Sequence, residues 1–411
     1  MPTVISSVAE RFARLGIDAA PGQESAARAD IQRLEGLRRG DDLAGVPVDF
    51  SHGDVNAFAP IPSAIEHFNA GVTEGAHQAY TTYKGRAEIL NELAGKLGEF
   101  TGTPVDPASE LIITPGTQGA LFLAVASCID FGGRVAIVDP DYFANRKIVE
   151  FFDATPVYVT LNYQDTSRSA ALDLTGLEAA FADGVKLFLF SNPNNPTGVV
   201  YTQSDIASIA ELANRYEATV IVDQLYSRLL FTGTEYTHLR STGIDPNRVI
   251  TTLGPSKTES LSGYRLGAAF GAPELIQRME RLQAIVSLRA AGYNQAALNS
   301  WFSEPEGWMQ DRTAAHQRIR DGLVTAFTAA GMHVRTTEAG SYVYPQLPEL
   351  EIPVSDFVTL LRLQAGVIVT PGTEFTPNED RRVRLNFSQE PEAALAAGQR
   401  IIKLAQRYAA K

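Results

Sequence analysis

From about residue 60 to residue 300, short apolar runs alternate with stretches in which apolar positions recur three and four apart. The runs are LIIT from 111, VAIV from 135, VYVT from 157, KLFLF from 186, TVIV from 219, VITT from 249 and GAAF from 267. Runs of this length suit strands, and their alternation with helical patterns predicts an α/β fold, a mostly parallel sheet sandwiched by helices. Upstream, residues 22–39 carry helix formers with apolar positions three and four apart and predict a surface helix. The Pro/Gly-rich stretch GVPVDFSHGDVNAFAPIPSAI then reads as an extended arm. Beyond residue 300, QDRTAAHQRIRDGLVTAFTAAG predicts a long amphipathic helix. The shorter mixture after it, with SYVYPQL, VIVT and VRLNFS, predicts a second, α+β lobe. The expected organisation is a large domain over 60–300 and a smaller one assembled from 1–59 and 301–411.

Composition narrows the functions such a fold can carry. A chain of 411 residues with 45% hydrophobic content is long enough to bury two cores. A formal net charge of -12 opposes a phosphate-rich polymer, whose binding needs a positive field, so no nucleic-acid partner is expected. The single cysteine, Cys128 in LAVASCIDF, excludes an intrachain disulfide framework and reads as helix core. The first residues, MPTVISSVAERFARLG, lack the basic start and continuous apolar stretch of a signal peptide, and no later run is long enough to span a bilayer. A soluble, cytoplasmic protein without a membrane partner is expected. The six histidines are scattered and no HExxH or cysteine cluster occurs, so no metal site is expected. Strings of the GxSxG, GxGxxG and P-loop kinds are also missing.

In an open parallel sheet the ligand sits beyond the carboxyl ends of the strands, so the polar residues that follow the apolar runs are the candidates. Four junctions stand out. After LIIT, a Pro-Gly turn leads to Thr117 at a helix start, where free backbone N–H groups and a hydroxyl suit a phosphate ester; a capping threonine would look the same. After KLFLF comes SNPNNPTG, whose prolines and asparagines hold the backbone in a rigid irregular turn able to aim a side-chain amide at a ligand. Asp223 ends TVIVD, where a carboxylate is costly to bury unless it meets a cation or donors, and Tyr226 follows; Asp223 as a helix cap is the alternative. The fourth, TLGPSKTESLSGYRLG, places Lys257 and Arg265 among glycines that let a backbone approach a bound group.

Taken in order, YTTYKG, PGTQGA, DPDY, NPNNPTG, DQLY, SK, GYR, PGTEF and RLNFS resemble the class I/II aminotransferases, the aspartate aminotransferase superfamily of pyridoxal phosphate (PLP) fold type I, over nearly the whole chain. The resemblance implies a PLP-dependent transferase that moves an amino group between an α-amino acid and a 2-oxoacid, and a homodimer with shared active sites. It makes Lys257, in the Ser256–Lys257 pair, the lysine that carries PLP covalently and shuttles the substrate α-proton. Asp223 would pair with the ring nitrogen, Asn195 and Tyr226 with the phenolic oxygen, and Tyr142 would stack on the ring. Gly116, Thr117 and Arg265 would bind the phosphate, with Tyr80 lent to the neighbouring subunit's phosphate. Arg384 would clamp the substrate α-carboxylate beside Asn195, and Gly53 would lie on a mobile segment that closes over substrate. An arginine in a C-terminal strand could equally form a structural ion pair, and Gly53 could be a plain turn glycine.

The sequence departs from the pattern at three places. Gly254 stands where a hydroxyl residue is expected three before the lysine, Gln224 where glutamate is common, and Glu259 lies two after Lys257, as an ion-paired or solvated charge. Arg146 and Arg289 are either contacts for an acidic substrate side chain or ordinary surface and interface arginines. Because PLP supplies the electron sink, nearly the same residues also serve lyases, racemases and specialised biosynthetic enzymes. A non-catalytic module on the same fold is a third reading.

Overall fold

The computed structural model describes residues 6–15, 31–166, 169–378 and 381–410. In chain order its strands are β1 (Val48–Asp49), β2 (Leu111–Pro115), β3 (Arg134–Asp139), β4 (Thr155–Asn162), β5 (Ala171–Leu172), β6 (Leu187–Ser191), β7 (Thr219–Asp223), β8 (Val249–Leu253), β9 (Leu266–Gly271), β10 (Tyr342–Val343), β11 (Val367–Ile368), β12 (Thr370–Pro371) and β13 (Val383–Asn386). All seven apolar runs are strands of one eight-stranded sheet, ordered β2-β9-β8-β7-β6-β3-β4-β5. The pairs β3–β4, β3–β6, β6–β7 and β7–β8 are parallel. The run GAAF differs in direction: β9 lies antiparallel to both β2 and β8. The link from Leu253 to Leu266 carries only a one-turn helix, Ser262–Tyr264, too little for the crossover that a parallel neighbour requires.

The central strands are unbroken apolar runs because each face of the sheet has its own core. Successive side chains point to opposite faces. Ala136, Val138, Phe188, Phe190, Val220 and Val222 belong to one cluster, with Phe181, Ile206 and Ile209 from covering helices. Their neighbours Val135, Ile137, Leu187, Leu189 and Ile221 belong to another, with Leu121, Ala124 and Met279. The covering helices start where the chain chemistry allows. Thr202 and Asp205 form a reciprocal capping box before the helix Gln203–Tyr216, and Pro273 opens Pro273–Val286.

A separate core holds the arm and the C-terminal part together. Leu34, Val48, Phe50 and Phe58 pack with Ile319, Leu323 and Phe327 of the helix Trp308–Ala329 and with Phe357, Val383, Leu385 and Leu404. The arm is pinned by β1, which pairs in parallel with β11, and a three-stranded sheet β10-β13-β12 lies beside it. Of the helix expected over 22–39, Ile31–Leu37 is helical and 16–30 lies outside the described residues. Cys128 packs against the core and burial pushes its thiol up to about 12, consistent with an inert side chain. No helix among the described residues is long and apolar enough to cross a membrane.

One close approach fixes β9 against the helix Gly116–Cys128. A Cβ on Gly267 would run into the backbone of Gly116 and Thr117, although the backbone of Gly267 itself is not left-handed. Gly267→Ala should therefore cost about 1–3 kcal/mol through overpacking alone. A urea midpoint equal to that of the wild type would contradict this account of the approach.

Candidate active site

The carboxyl ends of β3, β6, β7 and β8 lie along one edge of the sheet, and β2, antiparallel to β9 as β8 is, ends there too. The reversal of β9 returns Arg265, the residue before it, to the same edge. A cavity at this edge is lined by Thr117, Tyr142, Asn195, Asp223, Tyr226, Ser256, Lys257, Arg265 and Arg384. Gly53 lines an adjoining recess under the arm, which shares Tyr226, Ser256 and Lys257 with the main cavity. The sequence-predicted residues thus converge, except that Gly116, directly before Thr117 in the chain, lines neither space and one further residue lies apart. Tyr80 is 84% exposed on the surface and lines neither space.

Two turns carry the groups at the helix end of the cavity. Gly116 has φ +76, a left-handed conformation that favours glycine, and a Cβ there would displace the Arg265 guanidinium. Thr117 is not a cap: its Oγ1 is buried and makes no hydrogen bond with any described residue. Arg265, itself at φ +52, donates from Nη1 to the Ser262 carbonyl at 3.0 Å. Lys257 is half-buried, and its amine has no hydrogen-bond or ion-pair partner among the described residues.

Asp223 is buried, and no helix follows it, so it is not a cap. Its Oδ1 accepts from the Leu225 N–H at 3.0 Å. Burial raises its pKa to about 6, with the Leu225 bond opposing the shift. Among the described residues that line the main cavity it supplies the single carboxylate, and Lys257, Arg265 and Arg384 line the same cavity. The SNPNNPTG turn is rigid for the expected reason. Asn194 Nδ2 donates to the Pro140 carbonyl at 3.1 Å and Asn194 Oδ1 accepts from Thr197, while Asn192 Oδ1 accepts from Tyr201 N–H. Asn195 is left to face the cavity.

Arg384 is buried to 4% exposure. It donates to Asn195 Oδ1 at 3.0 Å, to the Ser51 carbonyl at 3.1 Å and to Thr370 Oγ1 at 3.4 Å. Its guanidinium lies 4.4 Å from the Tyr342 ring centroid and 4.7 Å from that of Phe375. None of these partners is an acid, and its Nε has no partner among the described residues. A buried cation without a carboxylate is not a structural ion pair; the arrangement suits an anionic ligand.

Several participants went unnoticed in the sequence. Tyr226 and Tyr342 share a short hydroxyl–hydroxyl hydrogen bond, and burial, then the neighbouring Tyr342, holds the Tyr226 phenol well above its usual range. Tyr342 pairs with Asn386 across β10 and β13, which puts it on the same face as Arg384, two residues before Asn386. Tyr142 donates to Gln118 Oε1 at 3.0 Å. Asp141, within the DPDY string, accepts from Ser191 N–H at 3.0 Å and from the Ser191 hydroxyl, whose oxygen in turn accepts from Asn195 N–H at 3.1 Å. Burial raises Asp141 to about 8.

The departures also find partners. Glu259 is buried, not solvated; it pairs with Arg228, which also holds Glu304 at 2.6 Å, and it faces away from the cavity. Gln224 Oε1 meets His238 Nδ1 at 2.9 Å, also outside the cavity. Arg146 turns to the Glu374 carbonyl and to Glu150, and Arg289 to the Thr81 carbonyl and the rings of Tyr80 and Tyr83. Neither arginine lines the cavity of its own chain. Among the described residues no cluster of His, Cys, Asp or Glu could hold a metal.

Comparison with known proteins places this geometry in context. Residues 47–400 match the family model described as aminotransferase class I and II. A crystal structure of an aspartate aminotransferase from Rhodobacter sphaeroides superposes with a TM-score of 0.93 at 56% identity, covering 98% of this chain and all of that one. The aspartate aminotransferase of Musicola paradisiaca is 27% identical over 98% of this chain and 97% of its own. An aromatic-amino-acid aminotransferase of Thermococcus litoralis is 24% identical over 82% of this chain and 88% of its own.

The raised Asp223 sets a measurable slope. In the ligand-free protein the folded chain keeps the Asp223 proton up to about pH 6, whereas the unfolded chain releases it near the ordinary carboxyl value of 3.8. Stability from this group therefore falls as pH rises from about 4 to 6 and is flat above. Asp223→Asn should remove that slope and leave the ligand-free variant more stable at pH 7 by up to about 3 kcal/mol. Urea midpoints at pH 4 and pH 7 that differ from those of the wild type by the same amount at both would contradict it.

Proposed function

The chain belongs to the class I and II aminotransferase family, and on that premise we propose that it is a PLP-dependent aminotransferase whose lysine is Lys257. The observation that carries this reading is the convergence of an unpaired amine, a buried carboxylate and two guanidinium groups without acid partners on one cavity at the strand ends. The fit to PLP is supported group by group. Asp223 is a carboxylate held uncomfortably by burial, for which the protonated ring nitrogen is a suitable cation. The unpartnered Thr117 hydroxyl, the helix start at Gly116 and the Arg265 guanidinium match the needs of a phosphate. Tyr142, held by Gln118, offers a ring face, and Asn195 and Tyr226 offer donors to a phenolic oxygen. When bound, PLP supplies the electron sink that makes bonds at the α-carbon of an amino acid breakable.

The residues of the chain then decide which bond changes. Arg384 binds the α-carboxylate through two parallel hydrogen bonds, exchanging for them its bonds to the Ser51 carbonyl and Thr370. This turns the α-hydrogen toward Lys257, whose Nζ accepts the proton and returns it. The arm residues around Gly53 border the recess beside Lys257 and exclude water when they close. Tyr342 keeps the Tyr226 hydroxyl oriented and stacks on Arg384, coupling the two sides of the cavity. The fold brings the Arg384 side of the cavity from the arm-containing core and the Lys257 side from the sheet, so relative movement of the two would open and close the site.

Aspartate is the first donor to examine, because the relative of 56% identity is named for it. A homodimer is supported by the exposed apolar surface carrying Tyr80, Ile285, Val286 and Leu288. Burying that surface against a second copy would bring Tyr80 to the partner's phosphate, which accounts for its distance from its own cavity.

With PLP, an amino-acid donor and a 2-oxoacid, the protein should form the new amino acid and the new 2-oxoacid in equal amounts. Ammonia and an oxoacid released from a single substrate would instead indicate elimination and overturn the aminotransferase reading. Arg384→Lys should raise the KM for amino-acid donors roughly 10- to 100-fold by losing the paired contact. An unchanged KM would remove Arg384 from substrate binding.

A further inference from the structure

Gly254 replaces the hydroxyl residue expected three places before Lys257, and its surroundings give a reason. It follows β8 directly, and its backbone lies outside the left-handed region, so conformation does not demand glycine. Space does. A Cβ on Gly254 would collide with Thr117 Oγ1, and would stand 3.2 Å from the Cα of Gly267 and 3.3 Å from the carbonyl oxygen of Leu266. Those last two are backbone of β9, held in register by Thr114 and Pro115 of β2. Thr117 Oγ1 sits at the end of a short, β-branched side chain with few alternative positions. It is buried and unpaired among the described residues, a cost the fold carries unless a ligand oxygen meets it.

We propose that positions 117 and 254 compete for one volume at the phosphate end of the cavity. In this chain the hydroxyl that meets the phosphate from that corner belongs to Thr117, and Gly254 is bare to make room for it. The inference rests on the PLP reading and concerns how this chain builds one corner of the site. The rest of the corner enforces the choice. A Cβ on Gly267 would meet the backbone of Gly116 and Thr117, so the helix start is drawn close against β9 beside Gly254. The Cβ of a serine at 254 would collide with Thr117 Oγ1, and shortening Thr117 to glycine would vacate that place. The two positions are therefore exchangeable together and not singly. Carrying the hydroxyl on the helix also ties it to the backbone N–H groups of the same helix start, so the phosphate ligands form one rigid unit.

The test measures the PLP dissociation constant by absorbance titration, together with the melting temperature of the ligand-free protein, for four variants. Thr117→Ser should bind like the wild type, because it keeps the hydroxyl. Thr117→Gly should bind roughly 10- to 100-fold more weakly, the value of a hydrogen bond to a charged group. Gly254→Ser should also bind more weakly and should melt at a lower temperature even without ligand. Combining Thr117→Gly with Gly254→Ser should recover both affinity and melting temperature relative to Gly254→Ser. If Gly254→Ser fails to fold, soluble recovery of the double variant is itself the expected rescue. A double variant no tighter than its weaker parent, or a Thr117→Gly protein with wild-type affinity, would overturn the exchange while leaving the PLP reading intact. A wild-type protein that takes up no PLP would instead defeat the PLP reading, and the inference with it.

Discussion

A carboxylate at the end of a strand buried on both faces is the constraint around which the site is arranged. Asp223 cannot be hydrated as it would be at a surface, and the fold gives it one backbone donor, at Leu225. The same cavity is lined by the amine of Lys257 and the guanidinium groups of Arg265 and Arg384, none of which forms an ion pair with Asp223. Arg384 is itself buried among a carbonyl, an amide, a hydroxyl and two aromatic rings, none of which neutralises it. Burying charges in this unbalanced way costs stability and has to be offset by the large apolar cores around the sheet. The imbalance is what a ligand with anionic ends and a cationic ring can relieve.

The sheet supplies rigidity where the chemistry needs it. Thr117, Tyr142, Asn195 and Lys257 each follow a different strand within a few residues and Asp223 ends another, and the strands are fixed by cores on both sides. The turns between strand and ligand are held by side chains that do not face the cavity, such as Asn194 on Pro140 and Asp141 on Ser191. Arg384 and Gly53 come from the other core, in which the arm packs with the C-terminal strands and helices. The arm is joined to that core by β1 on β11, and Asp54 N–H donates to the Ser388 carbonyl at 2.7 Å, close to Gly53. In the proposed reading, the residue that clamps substrate and the segment that covers it thus belong to the same body.

Much of this was legible in the sequence because double-sided burial writes strands as unbroken apolar runs, and the chemistry follows those runs. The direction of β9 was not legible, since GAAF reads the same either way and only the link before it decides. Lys257, Asp223 and Asn195 announced themselves by position, whereas Tyr342 was hidden inside SYVYP, where an aromatic residue looks like core. Its partnership with Tyr226 depends on strands far apart in the chain. The meaning of Gly254 was equally hidden: the reason for its missing side chain is Thr117, which precedes it by more than a hundred residues. Glu259, conspicuous beside the lysine, turned out to belong to a buried ion cluster with Arg228 and Glu304. Its charge was visible in the sequence, but the direction it faces was not.

The central claim is that the amine at Lys257 is the one joined to the cofactor. It is tested most directly by loading the protein with PLP, reducing with borohydride, digesting, and locating the pyridoxyl group by mass spectrometry. The account predicts a single modified peptide with the label on Lys257. A label on another lysine, or no stable label on a protein that has otherwise taken up PLP, would contradict it.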